Sequence, residues 1–387
     1  MKQSDVENIK ARALKAISPL KQADSDTRAP KGLLFNAKRT EAGRSLPAYF
    51  LVYFLLVDLL GFRNLGQFEK VAWSVPVDLD GQAYLIEHRK FGLGVFASDL
   101  PDDEKAAAEV VKLIQKATKA AQPYFEWRAQ QAAMASKLNV LNRSPELYER
   151  LEFHLDLYEE RQQEAEARAD EQIVTHLGDH SSVIAFPGFE LKREAKWLGL
   201  SAIECFFSWT EHVFIHIAIL RGNSVTGEKV AELAKAEWGS KFKAALNISD
   251  PLTKSFYDQL AIIRRQLRNF VAHGAFGKDG EAFHFHSTAG AVPMLLPHRE
   301  NRNQLAFGQG IELKAEEAIS LIRKFIEHLW SGALEPAKIH IQDYALPINL
   351  AKASSGEYSK EMKSVEAMTA HCEHQSFLND CYANMDF

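Results

Sequence analysis

The sequence predicts a mainly α fold, in which a four-to-five-helix bundle with a short β insertion occupies the C-terminal half. A small α+β module and a long helical connector precede it. Three observations carry this. Apolar residues recur at helical spacing between residues 193 and 330, with glycine or proline at each break. Residues 102 to about 180 are dominated by Ala, Glu, Gln, Lys, Arg and Leu. Ahead of them, a stretch rich in Val, Ile, Leu and aromatics carries Asp80-Gly81 at its centre.

Residues 1 to about 45 are basic and polar and are broken by Pro30 and Gly32, which predicts a short helix followed by a loose arm. The run from Pro47 to Leu60 is the longest apolar stretch. It falls short of the ~20 residues that span a bilayer and contains Asp58, so it reads as a buried helix ended by Gly61. Lys70 to Leu79 and Gln82 to Lys90 then form a hairpin around Asp80-Gly81, and Leu93 to Ala97 adds a third strand. Pro101 opens the helical connector, which is interrupted near Asn142-Arg-Ser-Pro145. Its stretch from Glu159 to Glu171 has almost no apolar face and reads as a solvated helix.

Gly178-Asp-His-Ser-Ser and Phe186-Pro-Gly are turn-rich and mark a domain boundary. Beyond it, the pattern predicts helices from Arg193 to Arg221, from Thr226 to Leu246, from Asp250-Pro251 to His273, and from Lys314 to Trp330. A turn at Gly277-Lys-Asp-Gly280 separates short strands holding Phe276 and Phe283-His-Phe-His286. The chain thus divides into an α+β module (1–100), a helical connector (101–185), a bundle (186–335) and a partly ordered tail (336–387).

With 46% hydrophobic and 25% charged residues, the chain is too apolar to be disordered, and 387 residues suffice for two or three cores. The net charge of −5 excludes a generic polyanion binder, so nucleic acid would need a local basic patch. Three scattered cysteines, Cys205, Cys372 and Cys381, give no disulfide framework. With a polar N-terminus lacking an apolar signal core, they point to a cytoplasmic protein without a membrane segment.

The chemistry-bearing sequence is Ile262-Ile-Arg-Arg-Gln-Leu-Arg-Asn-Phe-Val-Ala-His-Gly274, at the end of the third bundle helix. Leu260, Ile263, Leu267, Phe270 and Val271 supply its core stripe, and Arg264, Arg265 and Arg268 share a broad opposite face. Asn269 and His273 are four apart and lie on one side. Arginine offers a permanent bidentate charge to a phosphate, and histidine moves a proton near neutral pH. The pair suits phosphodiester chemistry and needs no metal or cofactor. Cations, a terminal histidine and a glycine also make an ordinary helix stop.

A bundle whose closing core helix ends in Arg-Asn-x-x-x-His-Gly resembles the HEPN superfamily, over roughly residues 193 to 332. The resemblance implies a metal-independent endoribonuclease acting as a homodimer on RNA. Arg268, Asn269 and His273 would be catalytic, and the products would carry 2′,3′-cyclic phosphate and 5′-OH ends. It also implies a toxin or phage-defence role, with a regulatory or antitoxin partner. A polar residue on the first bundle helix often faces the motif, and Glu204, Glu211 and His212 are candidates. Arg264, Arg265 and Glu211 would contact substrate. The alternative is a non-catalytic bundle serving dimerisation or RNA and nucleotide binding.

Other constellations fit less well. Asp78, Asp80, Glu87 and Lys90 invite comparison with restriction-type nucleases, but Glu87 and Lys90 are three apart where such a site needs two. His371-Cys-Glu-His374 with Cys381 has zinc-ligand types at a non-standard spacing and reads as a surface cluster. His212 and His216 share a helix face and could pair on a metal, though helix-face histidines are usually bystanders; His284 and His286 share a strand face and would touch RNA or simply cover the bundle.

Overall fold

The computed structural model describes residues 1–98, 100–178, 181–273, 281–288, 290–295, 306–307 and 314–385; over 269–273 and parts of the strands that follow, the description is of the backbone. The chain is mainly helical and divides into two compact units, Met1–Ala135 with Glu373–Phe387, and Ser136–Cys372.

In the first unit, strands β1 (Val71–Leu79), β2 (Gln82–Arg89) and β3 (Gly92–Ala97) form an antiparallel meander. Two-residue edge strands, Lys21–Gln22 and Lys38–Arg39, extend it to five. Asp80 and Gly81 both take positive φ, +52° and +82°, which gives the predicted hairpin the twist its strands need. Helices α1 (Gln3–Ile17), α2 (Tyr49–Tyr53, continued by a π turn over Phe54–Leu59) and α3 (Asp103–Ala120) supply the core on one face, where Ile17, Leu55 and Ile114 meet Val75, Val77 and Ile86. The predicted loose arm instead covers the other face. Leu33 and Ala37 pack on Ala83, Leu85 and Phe96 because β1 and β2 are apolar on both sides.

The buried carboxylates of the hairpin have local partners. Asp78 accepts from the Thr27 hydroxyl at 2.6 Å and the Gly81 amide at 2.7 Å; Glu87 accepts from the Ser74 hydroxyl at 2.6 Å and Arg89 Nε at 2.7 Å. Lys90 donates to Asn384 instead of joining them.

The domain bounds read from sequence need correction. The connector is not one element. Its first part, α3 with α4 (Gln122–Met134), belongs to the first unit because Ala107, Val110, Ile114 and Ala117 form an apolar stripe that the core takes up. Its second part, α5 (Ser144–Ala167), lies in the second unit, where Leu151, Leu155 and Tyr158 are buried. The end of α5, from Glu159, is largely exposed as expected. The predicted boundary is not one: β4 (Ile173–Gly178) and β5 (Ser181–Ala185) on either side of it pair as a hairpin, and both strands lie in the second unit.

The bundle is built round α6 (Pro187–Leu220), 34 residues long. The helix expected over Thr226–Leu246 divides into α7 (Gly227–Lys235) and α8 (Trp238–Ala245). Thr226 caps the first, as read, by accepting from the Lys229 amide. Ala236 and Glu237 are extended between them, which turns Trp238 inward so that its Nε1 donates to Thr210 at 3.0 Å. Helices α9 (Pro251–His273) and α10 (Ala315–Leu329) follow the sequence reading closely. Between them lie β6 (Glu281–Ser287) and β7 (Gly290–Leu295); Phe276 and the turn at 277–280 lie outside the described residues.

Residues after 336 are not a loose tail. Ala337, Ile341, Ile348, Leu350 and Tyr358 join the α6 core, and Ile348–Asn349 pair with Asn139–Val140. The last helix, α11 (Val365–Asn384), begins in this unit, and its residues from Glu373 belong with the first. Among the described residues α6 is the one helix long and apolar enough to cross a membrane, and 72% of its apolar window is buried within the protein.

The placement of α3 is testable. Ile114→Ala is expected to destabilise the first unit by about 2–5 kcal/mol in urea denaturation, since a fully buried side chain is truncated. A change within about 0.5 kcal/mol, as for a surface position, would return α3 to a connector.

Candidate functional site

Helix α9 presents two faces. Leu260, Ile263 and Leu267 are buried in the core as predicted, while Arg265 and Arg268 are exposed and Arg264 is half-buried. The arginine face borders a cavity of about 740 Å³, within the size range of ligand sites. Glu204 and Phe207 of α6, Trp238 and Gly239 of α8, and Tyr257, Arg265 and Arg268 of α9 line it.

The three arginines differ in state. Arg264 Nη2 reaches Glu211 Oε1 at 3.0 Å, and its Nη1 lies 3.5 Å from Glu237 Oε2. The second oxygen of Glu211 accepts from Lys241 Nζ at 2.7 Å, and Lys241 is buried. Glu211 therefore holds two cations at the junction of α6, α8 and α9. Arg264 and Glu211, read from sequence as substrate contacts, instead satisfy each other's charge. Arg265 and Arg268 have no hydrogen-bond or ion-pair partner among the described residues. They are the cations left to face an incoming anion.

Glu204 and Glu211 differ in their surroundings. Both face α9, with Glu211 tied to Arg264 and Glu204 lining the cavity. The side chains of Asn269, Phe270, Val271 and His273, and Gly274, lie outside the described residues; the α9 backbone is helical through His273.

Sequence reasoning missed the aromatic wall. Tyr257 lies parallel to Trp238 at 6.2 Å between ring centroids, with Lys243 Nζ 4.9 Å from its own centroid. Its hydroxyl sits 2.9 Å from where a Cβ on Gly239 would be, so the glycine makes room for it. The available signal was Trp238-Gly239 itself, a poor pair for the interior of one long helix.

The histidines on α6 belong to the core. His212 Nε2 accepts from the Arg143 amide at 3.0 Å, and the buried His216 donates from Nδ1 to the His212 carbonyl at 3.0 Å. Burial, then the neighbouring charge of His216 and Arg143, pushes His212 down to about 3. His340, buried against Tyr358 and His371, is also pushed down to about 3, by burial first and then by His371 and His216. His371 and Cys372 are not the surface cluster expected: Cys372 packs with Ile339, Leu346 and Met368, and burial pushes its thiol up to about 12. His284 and His286 are exposed.

No protein-family model matches the chain, and no curated protein or solved structure matches it.

Two outcomes follow from these contacts. Glu211→Gln leaves the Lys241 ammonium buried beside a neutral amide and is expected to cost about 3 kcal/mol in urea denaturation. Adding Lys241→Met to that variant should recover most of the loss; if it does not, Glu211 is not the counter-ion holding the junction. The second outcome concerns pH. His340 stays neutral when folded but binds a proton below its ordinary value of 6.5 when unfolded, so its contribution is complete above about pH 6.5 and falls away as pH drops towards 3. One such group adds a slope of up to ~1.4 kcal/mol per pH unit in that window. Stability measured at pH 7, 5.5 and 4.5 should show a shallower slope in His340→Phe than in wild type, and equal slopes would contradict the assignment.

Proposed function

We propose that this protein is a metal-independent endoribonuclease of the HEPN type, acting as a homodimer. The observation that carries the reading is a pair of guanidiniums, Arg265 and Arg268, that have no ion-pair partner among the described residues and line a cavity on the helix that closes with His273. A phosphodiester supplies the anion such a pair lacks, and the aromatic and carboxylate wall opposite is suited to the rest of a nucleotide.

On this reading the 2′-OH of the substrate attacks the adjacent phosphorus. The 2′-O–P bond forms, the P–O5′ bond breaks, and His273 takes part in moving the proton from the attacking to the leaving oxygen. Arg268 stabilises the charge that builds on the non-bridging oxygens. Asn269 orients the histidine or the substrate. The products carry 2′,3′-cyclic phosphate and 5′-OH ends. A role as a toxin or phage-defence effector, held in check by a partner, belongs to the same proposal.

The test is cleavage of single-stranded RNA in EDTA by wild type, Arg268→Ala and His273→Ala. Wild type should cut, and each variant should be slower by about 100-fold or more. If both variants match wild type, the site is elsewhere. If wild type leaves RNA intact but binds it, with an affinity that Arg265→Ala and Arg268→Ala lower uniformly across sequences, the protein is the non-catalytic RNA-binding bundle.

A further inference from the structure

The hairpin of β4 and β5 joins α5 to α6 and pairs with no third strand among the described residues. Its base is fixed, because Gly188 brings α6 so close to the end of α5 that a Cβ there would sit 2.8 Å from the Arg168 carbonyl. Beyond that base its apolar side chains stand exposed. Val174, Leu177, Val183 and Ile184 on the strands, and Phe189 and Trp197 on the adjoining turns of α6, are each between 49% and 70% exposed. A lone two-stranded ribbon is marginal in water. Exposed strand edges are usually blunted by Lys, Pro or inward charge, and neither strand contains a proline or a charged Lys, Arg, Asp or Glu. One irregularity in register, between His176 and Gly178, confines itself to the tip.

From this we infer that the hairpin and the first three turns of α6 are the surface on which a second copy of this chain docks. The inference rests on the dimeric part of the proposed function and says where the copies meet. Three observations select a second copy as the occupant. The patch is large: six bulky apolar side chains, each about half exposed or more, adjoin one another in sequence on one hairpin and the helix it leads into, and contiguous apolar surface of that kind marks an association site. The surface is self-complementary, since it offers open edges of the same ribbon with Glu190 and Arg193 of opposite sign beside them, as a two-fold interface requires.

The third observation is continuity with the cavity. Trp197, Glu204 and Glu211 are seven apart and share one side of α6. Glu211 meets Arg264 while Glu204 shares the cavity with Arg268, so α9 runs antiparallel to α6. His273 lies about 7.5 Å further along α9 than Arg268, which takes its backbone towards the level of Trp197. The docking surface and the end of the motif helix thus lie at one end of the bundle.

The experiment is sedimentation of the full chain from about 1 to 100 µM, beside Val183→Glu and Trp197→Glu. Both side chains are already exposed, so folded content and urea stability should match wild type. Wild type is expected to be dimeric, and each variant to dissociate with at least a tenfold higher Kd. A dimeric wild type with equally dimeric variants overturns this surface and leaves the dimer standing. A wild type monomeric throughout overturns both. A monomer that floats with anionic phosphatidylserine vesicles, and ceases to in Val183→Glu, assigns the patch to lipid and overturns the proposal. RNA cleavage is scored on the same samples, so failure of the ribonuclease reading is seen separately.

Discussion

One helix sets the terms for the second unit. From Ala202 to Leu220, α6 buries Phe206, Trp209, Val213, Phe214 and Ile217 on sides that no single neighbour can reach. A helix that is apolar all round must be enclosed. That constraint explains why α5, α8, α9, α10 and the segment after 336 all contribute to one core. Phe325 of α10 marks the centre. Its ring lies 5.5 to 6.3 Å from those of Phe206, Phe214, Phe242 and Phe256, which come from α6, α8 and α9. Most of these contacts are edge-on, a geometry that fixes orientation as well as distance.

The polar exceptions on this helix then decide the site. Glu211 sits where three helices converge, and a carboxylate there needs cations close by. Lys241 and Arg264 supply them from α8 and α9. This junction fixes the rotation of α9 about its axis, because Arg264 must point at Glu211 while Leu260, Ile263 and Leu267 point at the core. Arg268, one turn on from Arg264, is thereby carried past the reach of Glu211 and out onto the cavity rim. The two roles follow from one register.

Much of this was legible in the residues. The Asp80-Gly81 turn, the capping Thr226, and the spans of α9 and α10 follow from local chemistry, and local chemistry needs no knowledge of the partner. What escaped the sequence was non-local. The arm before Asn36 is polar enough to look unattached, yet Leu33 and Ala37 are what the second face of the sheet requires. Helix α3 has the composition of a connector, and only the presence of a core beside it makes its apolar stripe structural. The break at Ala236-Glu237 is announced only by the Trp238-Gly239 that follows it, and Trp238 turns inward to partners distant in sequence, Thr210 of α6 and Tyr257 of α9. The three arginines looked equivalent because the ion pair that distinguishes Arg264 comes from residues 53 and 27 positions away.

The charges around the cavity bear on how such a site would work. Among the described residues Arg264, Arg265 and Arg268 line the cavity with Glu204 and Glu237, so the lining of one protomer carries a formal excess of one positive charge. An ordinary helix stop would be content with that. A phosphodiester-cleaving site would not, since a single weakly screened cation holds one phosphate loosely and RNA carries a phosphate at every step. Doubling the surface doubles the excess without disturbing the Glu211 junction that orients each α9. On the proposed reading, then, dimerisation is an electrostatic requirement of the site as well as a way to cover an exposed ribbon. On that reading the two needs would be met at the same end of the bundle, where Phe189 and Trp197 of α6 are exposed and the α9 backbone, antiparallel to α6, runs on to His273.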